Sequence, residues 1–483
     1  MICSERKINT AVKSALSIAG ASLLLSTTPA VVMAAEVVEK PNVVVIFVDD
    51  LGWGDPGFLG ATDLRTPNMD KIAAKGVNFK QGYVTSSICG PSRAGLLTGV
   101  YQQRLGNAEN IPENHYPTEI GNRAGVPLSQ PMLSEILKEQ GYRTGAIGKW
   151  HLGLAEEKRP NARGFDYFYG FLNGSHSYYQ SGMEFGNNHD YWPIFRNTEM
   201  VEFEGYTTEV FSEEAVNFIT STPEEDPFFL YLAYNAVHYP WEVPDSYVER
   251  LDHIEEENRR KFGGMVLALD DGIGTIVDAL EEQGQLENTA IFVISDNGSP
   301  RPSEANLERD ANLSSTGGLR GYKGENYEGG IRVPYIMSWP GVVPENVTYD
   351  EPVSALDVAK TVTSHLGIEN PSKGFPFDGV DLVPFVNGER EGERPHDVMY
   401  WRRANDYAIR AGDWKLAYNT YERDGEPELF NLETDMFERN DLSKRYPKKK
   451  LELQRMFDQW DHELPQSISW PDVPSNRNHK FNQ

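Results

Sequence analysis

Three uninterrupted apolar runs limit what this chain can fold into. Asn42–Val48, Pro227–Tyr234 and Thr289–Ile294 are short stretches dominated by Val, Ile, Leu and Phe. Such runs suit central parallel strands covered on both faces. Two of them end in acids, Asp49-Asp50-Leu51-Gly52 and Ser295-Asp296-Asn297-Gly298, and the other ends in Asn235-Ala236-Val237-His238-Tyr239-Pro240-Trp241. Open α/β sheets place their ligands beyond the C-terminal edges of their strands, where these polar clusters fall. A single Asp-Asp-x-Gly serves a helix cap or a turn equally well, so the weight lies on its recurrence. Further strands are expected over Val77–Thr85, Tyr142–Ile147 and Tyr335–Trp339. Helices are expected over Thr66–Gly76, Pro131–Gln140, Arg259–Gln283 and Ala355–Leu366. The result is an α/β fold with a mixed, mostly parallel sheet flanked by helices.

At 483 residues the chain exceeds one ordinary core, and three segments are expected. Residues 1–34 have the pattern of a signal peptide: Arg6, Lys7 and Lys13, an apolar run Ala15–Leu25, then Val32-Met33-Ala34 as a cleavage site. No other stretch is long and apolar enough to span a bilayer, so a periplasmic or secreted protein without a membrane anchor is expected. Residues 35–392 form the main domain. Residues 393–483 change texture: Tyr407–Arg410 and Trp414–Tyr418 flank Ala411-Gly412-Asp413 as a hairpin. Glu428–Leu432 adds a strand and Lys448–Leu464 a helix, giving a small α+β domain. Residues 100–130 are polar and turn-rich, and 299–316 has a disordered texture.

Export gives the cysteines a meaning. Of the two, Cys3 departs with the leader, so Cys89 is left without an internal disulfide partner. A lone cysteine is commonly a buried small hydrophobe; in an oxidising compartment it must be buried or chemically converted. Charge bounds the partners. The chain has 45 basic and 72 acidic residues, a net charge of −27; the leader carries three basic and one acidic residue, so its loss leaves 42 against 71. This field repels polyanions such as nucleic acid at long range, unless a cleft is locally basic or salt screens it.

Cys89 opens the segment Cys89-Gly90-Pro91-Ser92-Arg93-Ala94-Gly95-Leu96-Leu97-Thr98-Gly99. A helix starting at Pro91 puts unpaired N–H groups and a positive dipole end beside Cys89, a site suited to an anion. Gly148-Lys149-Trp150-His151-Leu152-Gly153 follows a strand and sets Lys149 and His151 on one side of an extended segment. Gly164–Tyr179 (GFDYFYGFLNGSHSYY) is dense in aromatics, offering flat faces for sugar rings and His176 as a polar reader. Lys323 lies in the middle of Gly317–Pro334 (GGLRGYKGENYEGGIRVP). Asp49, Asp50, Asp296 and Asn297 are oxygen donors brought together from two strand ends. Such a set holds a hard cation, Ca²⁺ in preference to Mg²⁺ or zinc.

The cysteine segment matches C-x-P-S-R-x-x-x-L-T-G and resembles the signature of type I sulfatases; GKWHLG and Tyr327–Pro334 resemble further blocks of that family. The likeness runs from about Asn42 to Asp441. It implies an alkaline-phosphatase-like catalytic domain, a smaller C-terminal domain, and a sulfuric ester hydrolase. It also implies conversion of Cys89 to formylglycine by a maturase. The hydrated aldehyde would attack sulfur, the alcohol would leave, and the second hydroxyl would expel sulfate without water attacking sulfur.

By the same resemblance, Arg93 holds the nucleophile's oxygen and Lys149 and Lys323 grip the sulfate. His238 is the general acid on the leaving oxygen and His151 assists sulfate elimination. Lys149, Lys323 and His238 thus also bind substrate. GFDYFYGFLNGSHSYY and NAVHYPW look most like N-acetylgalactosamine-4-sulfatases and their bacterial relatives. They suggest galactose 4-sulfate in an algal galactan such as carrageenan. Residues 100–130 and 299–316 depart from the family, in loops that would contact sugars. One alternative keeps the fold and changes the ester, as in phosphonate monoester hydrolases and phosphodiesterases. The other, a non-catalytic glycan-binding homologue, would lack a nucleophile or metal ligand, and this chain keeps Cys89 and all four oxygen donors.

Overall fold

In the computed structural model the described residues are 40–111, 118–182, 192–302, 313–420, 426–465 and 467. The leader expected over residues 1–34 lies outside them, as do parts of both atypical loops. Strands in the first half of the chain are β1 (Asn42–Val48), β2 (Val77–Phe79), β3 (Gly82–Tyr83), β4 (Arg143–Lys149), β5 (Tyr167–Phe171), β6 (Ile194–Arg196), β7 (Glu199–Val201) and β8 (Phe228–Ala233). Those that follow are β9 (Thr289–Ser295), β10 (Tyr335–Ser338), β11 (Val347–Tyr349), β12 (Val353–Ser354), β13 (Val398–Arg403), β14 (Asp406–Ala411), β15 (Trp414–Tyr418) and β16 (Glu428–Asn431).

A ten-stranded sheet in the order β11-β2-β10-β9-β1-β8-β4-β5-β6-β7 forms the centre. Its middle, β9-β1-β8-β4-β5, is parallel, and β10 and β6 join it antiparallel. The continuous apolar run of β1 is explained by burial on both faces. Val43, Val45 and Phe47 enter one core with Ala94, Leu96 and Leu97 of helix α2 (Cys89–Thr98), which follows α1 (Pro67–Ala74) in the chain. Val44, Ile46 and Val48 enter the opposite core with Phe262, Met265 and Leu269 of the helix Glu257–Glu282. Each such side chain contributes ~1.5–3 kcal/mol relative to exposure. This is the α/β sheet that the apolar runs require.

Two local expectations change. The segment Val77–Thr85 is not one strand: β2 pairs with β10 and β11, whereas β3 leaves the large sheet to pair with β12. The polar stretch 100–130 is not an open loop throughout. It contains a 3₁₀ turn over Gln102–Leu105 and a short helix over Glu119–Arg123, and Gln102, Gln103 and Asn107 are buried.

The C-terminal sheet β13-β14-β15-β16 is antiparallel, with the hairpin turn at Gly412 in the left-handed region (φ +58°). One face receives Leu453 and Phe457 of the helix Pro447–His462. The other packs Trp401, Ala408 and Phe430 on Tyr83, Tyr327 and Ile331. Lys415 is fully buried there, 2.8 Å from both Glu328 Oε1 and Glu438 Oε1. The described residues from Lys40 onward form one compact unit. Among the described residues no helix is long and apolar enough to cross a membrane.

Candidate active site

Register brings the acids together. Val48 of β1 lies opposite Ser295 of β9, so Asp49-Asp50 and Asp296-Asn297 leave the sheet at one level. The exit is fixed by backbone bonds: Asp296 N–H donates to Val48 O (2.8 Å), and Asp49 N–H to Ala236 O (3.0 Å). The second bond also ties β1 to the segment after β8 that carries His238. Asp50 takes φ +64°, a left-handed conformation costing ~1–2 kcal/mol. Its N–H reaches Asp296 Oδ1 at 3.3 Å and its Oδ1 accepts from Asn297 Nδ2 at 2.6 Å.

Helix α2 begins at Cys89, two residues before the start expected at Pro91, with Ile88 as its N-cap. Cys89 therefore occupies the first helical turn itself. Its Sγ lies 3.5 Å from Asp49 Oδ1, and the residue is buried. A helix N-terminus ordinarily lowers a thiol pKa. Here burial, followed by the negative charge of Asp296, pushes Cys89 far up, despite Lys149 and Lys323. The unmodified side chain is thus a neutral thiol. Gly90 N–H donates to Asn110 Oδ1 (3.0 Å), and a Cβ at Gly90 would come within 3.6 Å of His151 Cε1.

The cations close the site. Arg93 Nε and Nη2 donate to Asp296 Oδ2 at 3.0 and 2.7 Å, and Nη1 donates to Lys149 O at 3.2 Å. Its guanidinium is thus paired with Asp296 and also lies 3.7 Å from Asp49 Oδ2, the carboxylate beside Cys89. Lys149 Nζ stands 2.6 Å from Asp49 Oδ2, and Lys323 Nζ 2.9 Å from Asp50 Oδ2. Burial alone would raise Asp50; Lys323 and His238 overcome it and hold the carboxyl at about 2. Asp296 is lifted to about 6 by burial and then by the Asp49 charge, against Arg93.

His238 Nε2 is 3.8 Å from Asp50 Oδ2, and Nδ1 donates to Tyr239 O at 2.5 Å. Burial and then Lys323 depress His238 to about 3. His151 is likewise held well down, by burial first and by Lys149 next. Both imidazoles are neutral at pH 7. His151 has φ +56°, so it reaches the site from a turn and not, as expected, from an extended continuation of β4.

The donors fit a hard cation. Ligand atoms of Asp49, Asp50, Cys89 and His238 lie within 4.8 Å of one another. Asn297 Oδ1 is buried without a hydrogen-bond partner, an arrangement that costs free energy unless something electropositive faces it. Several buried carboxylates held by lysines are likewise a charge distribution that a metal can take over.

His176 is a correction. It is buried, with Nδ1 2.6 Å from Ser177 O and Nε2 2.7 Å from Trp192 O, its ring packed on Phe171. Both nitrogens serve backbone carbonyls, so it orders the aromatic segment and reads no ligand. Sequence reasoning missed Asn110 as a partner of the nucleophile turn, and missed Arg301 and Arg403, which hold the Lys323 loop. Only the cluster of Asn residues in 100–130 offered a signal for the first.

A buried cysteine at a helix start, oxygen donors at two strand ends, two lysines and two histidines define an ester hydrolase of the α/β class built for an anionic substrate. The chain belongs to the sulfatase family: the Sulfatase model matches residues 41–368, and the model described as N-sulphoglucosamine sulphohydrolase, C-terminal, matches 322–463. It is 34% identical over 418 residues to the N-acetylgalactosamine-6-sulfatase of Canis lupus familiaris, covering 83% of this chain and 76% of the relative. The crystal structure of Ps i-CgsB in complex with k-i-k-neocarrahexaose is similar at 35% identity. Its TM-score is 0.78, over 89% of this chain and 97% of that one. The phosphonate monoester hydrolase of Agrobacterium radiobacter shares the fold at 19% identity, TM-score 0.61, over 89% and 97% of the two chains. The protein is a sulfuric ester hydrolase of the sulfatase type.

Proposed function

We infer that the protein removes sulfate from galactose 4-sulfate units of an algal galactan such as carrageenan. Export by its leader would place it in the periplasm or the medium. The observation that carries the chemistry is Cys89 Sγ in the first turn of α2, beside Asp49 and within 4.8 Å of ligand atoms on Asp50 and His238. A neutral buried thiol is a poor nucleophile toward sulfur, which supports conversion of Cys89 to formylglycine by a maturase. When present, that group would supply an oxygen nucleophile, and Asp49, Asp50, Asp296 and Asn297 would hold a Ca²⁺ supplying Lewis-acid activation there.

The remaining roles belong to the chain's own side chains. Lys149 and Lys323 exchange their carboxylate partners for sulfate oxygens and neutralise the charge that grows there. Arg93 fixes Asp296 and the end of β4 so that Lys149 and the acid cluster keep one geometry. His238 donates from Nδ1 to Tyr239 O, so the proton it delivers to the leaving oxygen must sit on Nε2. An arriving anion favours that protonation, because it offsets the Lys323 charge that now opposes it. His151, beside Gly90, assists release of sulfate. For the galactan, support comes from the aromatic segment and from the likeness to a structure bound to a neocarrahexaose.

The test is peptide mass spectrometry across Cys89 on protein made with a maturase, followed by a screen for sulfate release. A loss of about 18 Da marks the aldehyde needed for covalent catalysis. Release from 4-sulfated galactans and not from 6-sulfated ones is expected. An intact thiol in folded, maturase-exposed protein, or faster cleavage of a phosphate diester than of a matched sulfate ester, would reject the proposal.

A further inference from the structure

A sulfated polymer approaching a chain of net charge −27 needs cations gathered along its path. Lys149 and Lys323 are occupied at the sulfate to be cleaved. Two more cations stand at the residue after Lys323. Arg301 donates from Nε to Lys323 O at 2.9 Å and pairs through Nη2 with Glu325 Oε1 at 2.9 Å. Arg403, the last residue of β13 in the C-terminal sheet, donates from Nη1 to Gly324 O at 3.0 Å and from Nε to Glu109 Oε2 at 3.4 Å.

The two guanidiniums converge on Gly324, which has φ +83°. A Cβ there would lie 2.9 Å from Arg403 Nη1 and 3.8 Å from Arg301 Nη2, so a side chain would displace Arg403. The Gly324 N–H donates to Ser87 O at 2.7 Å, two residues before Cys89, and Glu109 adjoins Asn110, the acceptor of the Gly90 N–H. The turn is thus tied by a backbone bond to the segment that enters α2, and through Arg403 and Glu109 to the segment that meets Gly90.

The two arginines differ in availability. Arg301 is 12% exposed and holds the Lys323 backbone. Arg403 is 35% exposed, and its Nη2 makes no hydrogen bond among the described residues. A planar guanidinium with Nε and Nη1 anchored and Nη2 open is preorganised to bind an oxyanion, because its rotamer entropy is already spent.

We propose that Arg403 is a specificity-determining residue that grips a second anionic group, sulfate ester or carboxylate, on a sugar flanking the one that loses its sulfate. The proposal rests on the sulfate-ester function inferred above. It gives the C-terminal sheet a direct part in substrate choice.

The experiment uses full-length matured enzyme, wild type, R403Q and R403K. Three galactan oligosaccharides are compared: one sulfate, two sulfates on adjacent sugars, and one sulfate beside a uronate. In R403Q the kcat/KM ratio of a doubly charged to the singly charged substrate should fall at least about tenfold, mainly through KM, as expected for loss of one charge-assisted bond. R403K should restore part of it. The substrate whose ratio collapses identifies the second anion. An unchanged ratio, with all three substrates slowed equally or none slowed, would overturn the proposal. Calorimetric Kd values on protein with Cys89 unconverted separate the two levels. If sulfate release fails altogether, a tenfold weaker Kd for doubly charged ligand in R403Q still supports Arg403, and an equal Kd refutes it.

Discussion

Replacing Lys323 by alanine tests the electrostatics of the site most directly. Its ammonium is 11% exposed and stands 2.9 Å from Asp50 Oδ2. Two unit charges at that separation interact by ~6 kcal/mol at an effective dielectric near 20. A sulfate oxygen taking the place of the carboxylate meets the same cation, and desolvation offsets part of the gain. Loss of a comparable preorganised donor costs ~2.7–4 kcal/mol, or ~10²–10³ in kcat. A second consequence distinguishes this role from damage to the fold. Lys323 is the largest charge effect opposing protonation of His238, so its removal must raise the His238 pKa from about 3. The assay is kcat and kcat/KM on an aryl sulfate, with the formylglycine content of each preparation measured, run from about pH 2.5 to 9 so that a limb near 3 falls inside the range. K323A should be slower by two to three orders of magnitude, with the His238 limb of its kcat/KM profile moved to higher pH. A rate within about threefold of wild type, or a slow variant whose profile stays in place, would refute the assignment.

Other outcomes follow from the same geometry. In Asn297→Ala the unpartnered oxygen is lost, so calcium should bind at least about tenfold more weakly. The stabilisation gained on titrating chelated protein with calcium should shrink by the corresponding ~1.4 kcal/mol at a fixed excess, read as a smaller rise in Tm, and an undiminished rise would remove Asn297 from the metal set. His396 Nε2 lies 2.8 Å from Asp357 Oδ1; burial lowers its pKa, but Asp357 outweighs that and the net shift is upward. The pair's stabilisation is thus fully present below the unfolded histidine value near ~6.5 and fades as pH rises through the higher folded value. Chemical denaturation of wild type and His396→Ala should differ more at pH 6 than at pH 9; a pH-independent difference would refute the linkage.

Much of the fold was legible because it depends on local pattern. Continuous apolar runs specify strands buried on both faces, and polar residues at their ends specify a ligand edge. That sufficed for β1, β8 and β9, for the acid pairs, and for the Gly412 hairpin. The segment Cys89–Gly99 carries a chemistry of its own, since the nucleophile's helix and its arginine are close in sequence. What the tertiary structure decided concerns residues brought together from far apart. Glu109 and Arg403 meet across 294 positions, and Asp50 and Lys323 across 273. No periodicity encodes such pairings. His176 shows the converse: an aromatic, glycine-rich segment looks the same whether its histidine faces a sugar or two backbone carbonyls. Only packing distinguishes them, because the requirement to pair every buried polar group is met by whichever partners the fold supplies. Local pattern specified the central strands, their acidic edge and the cysteine-bearing helix; long-range packing specified how Val77–Thr85 divides between two sheets and which cations face that edge.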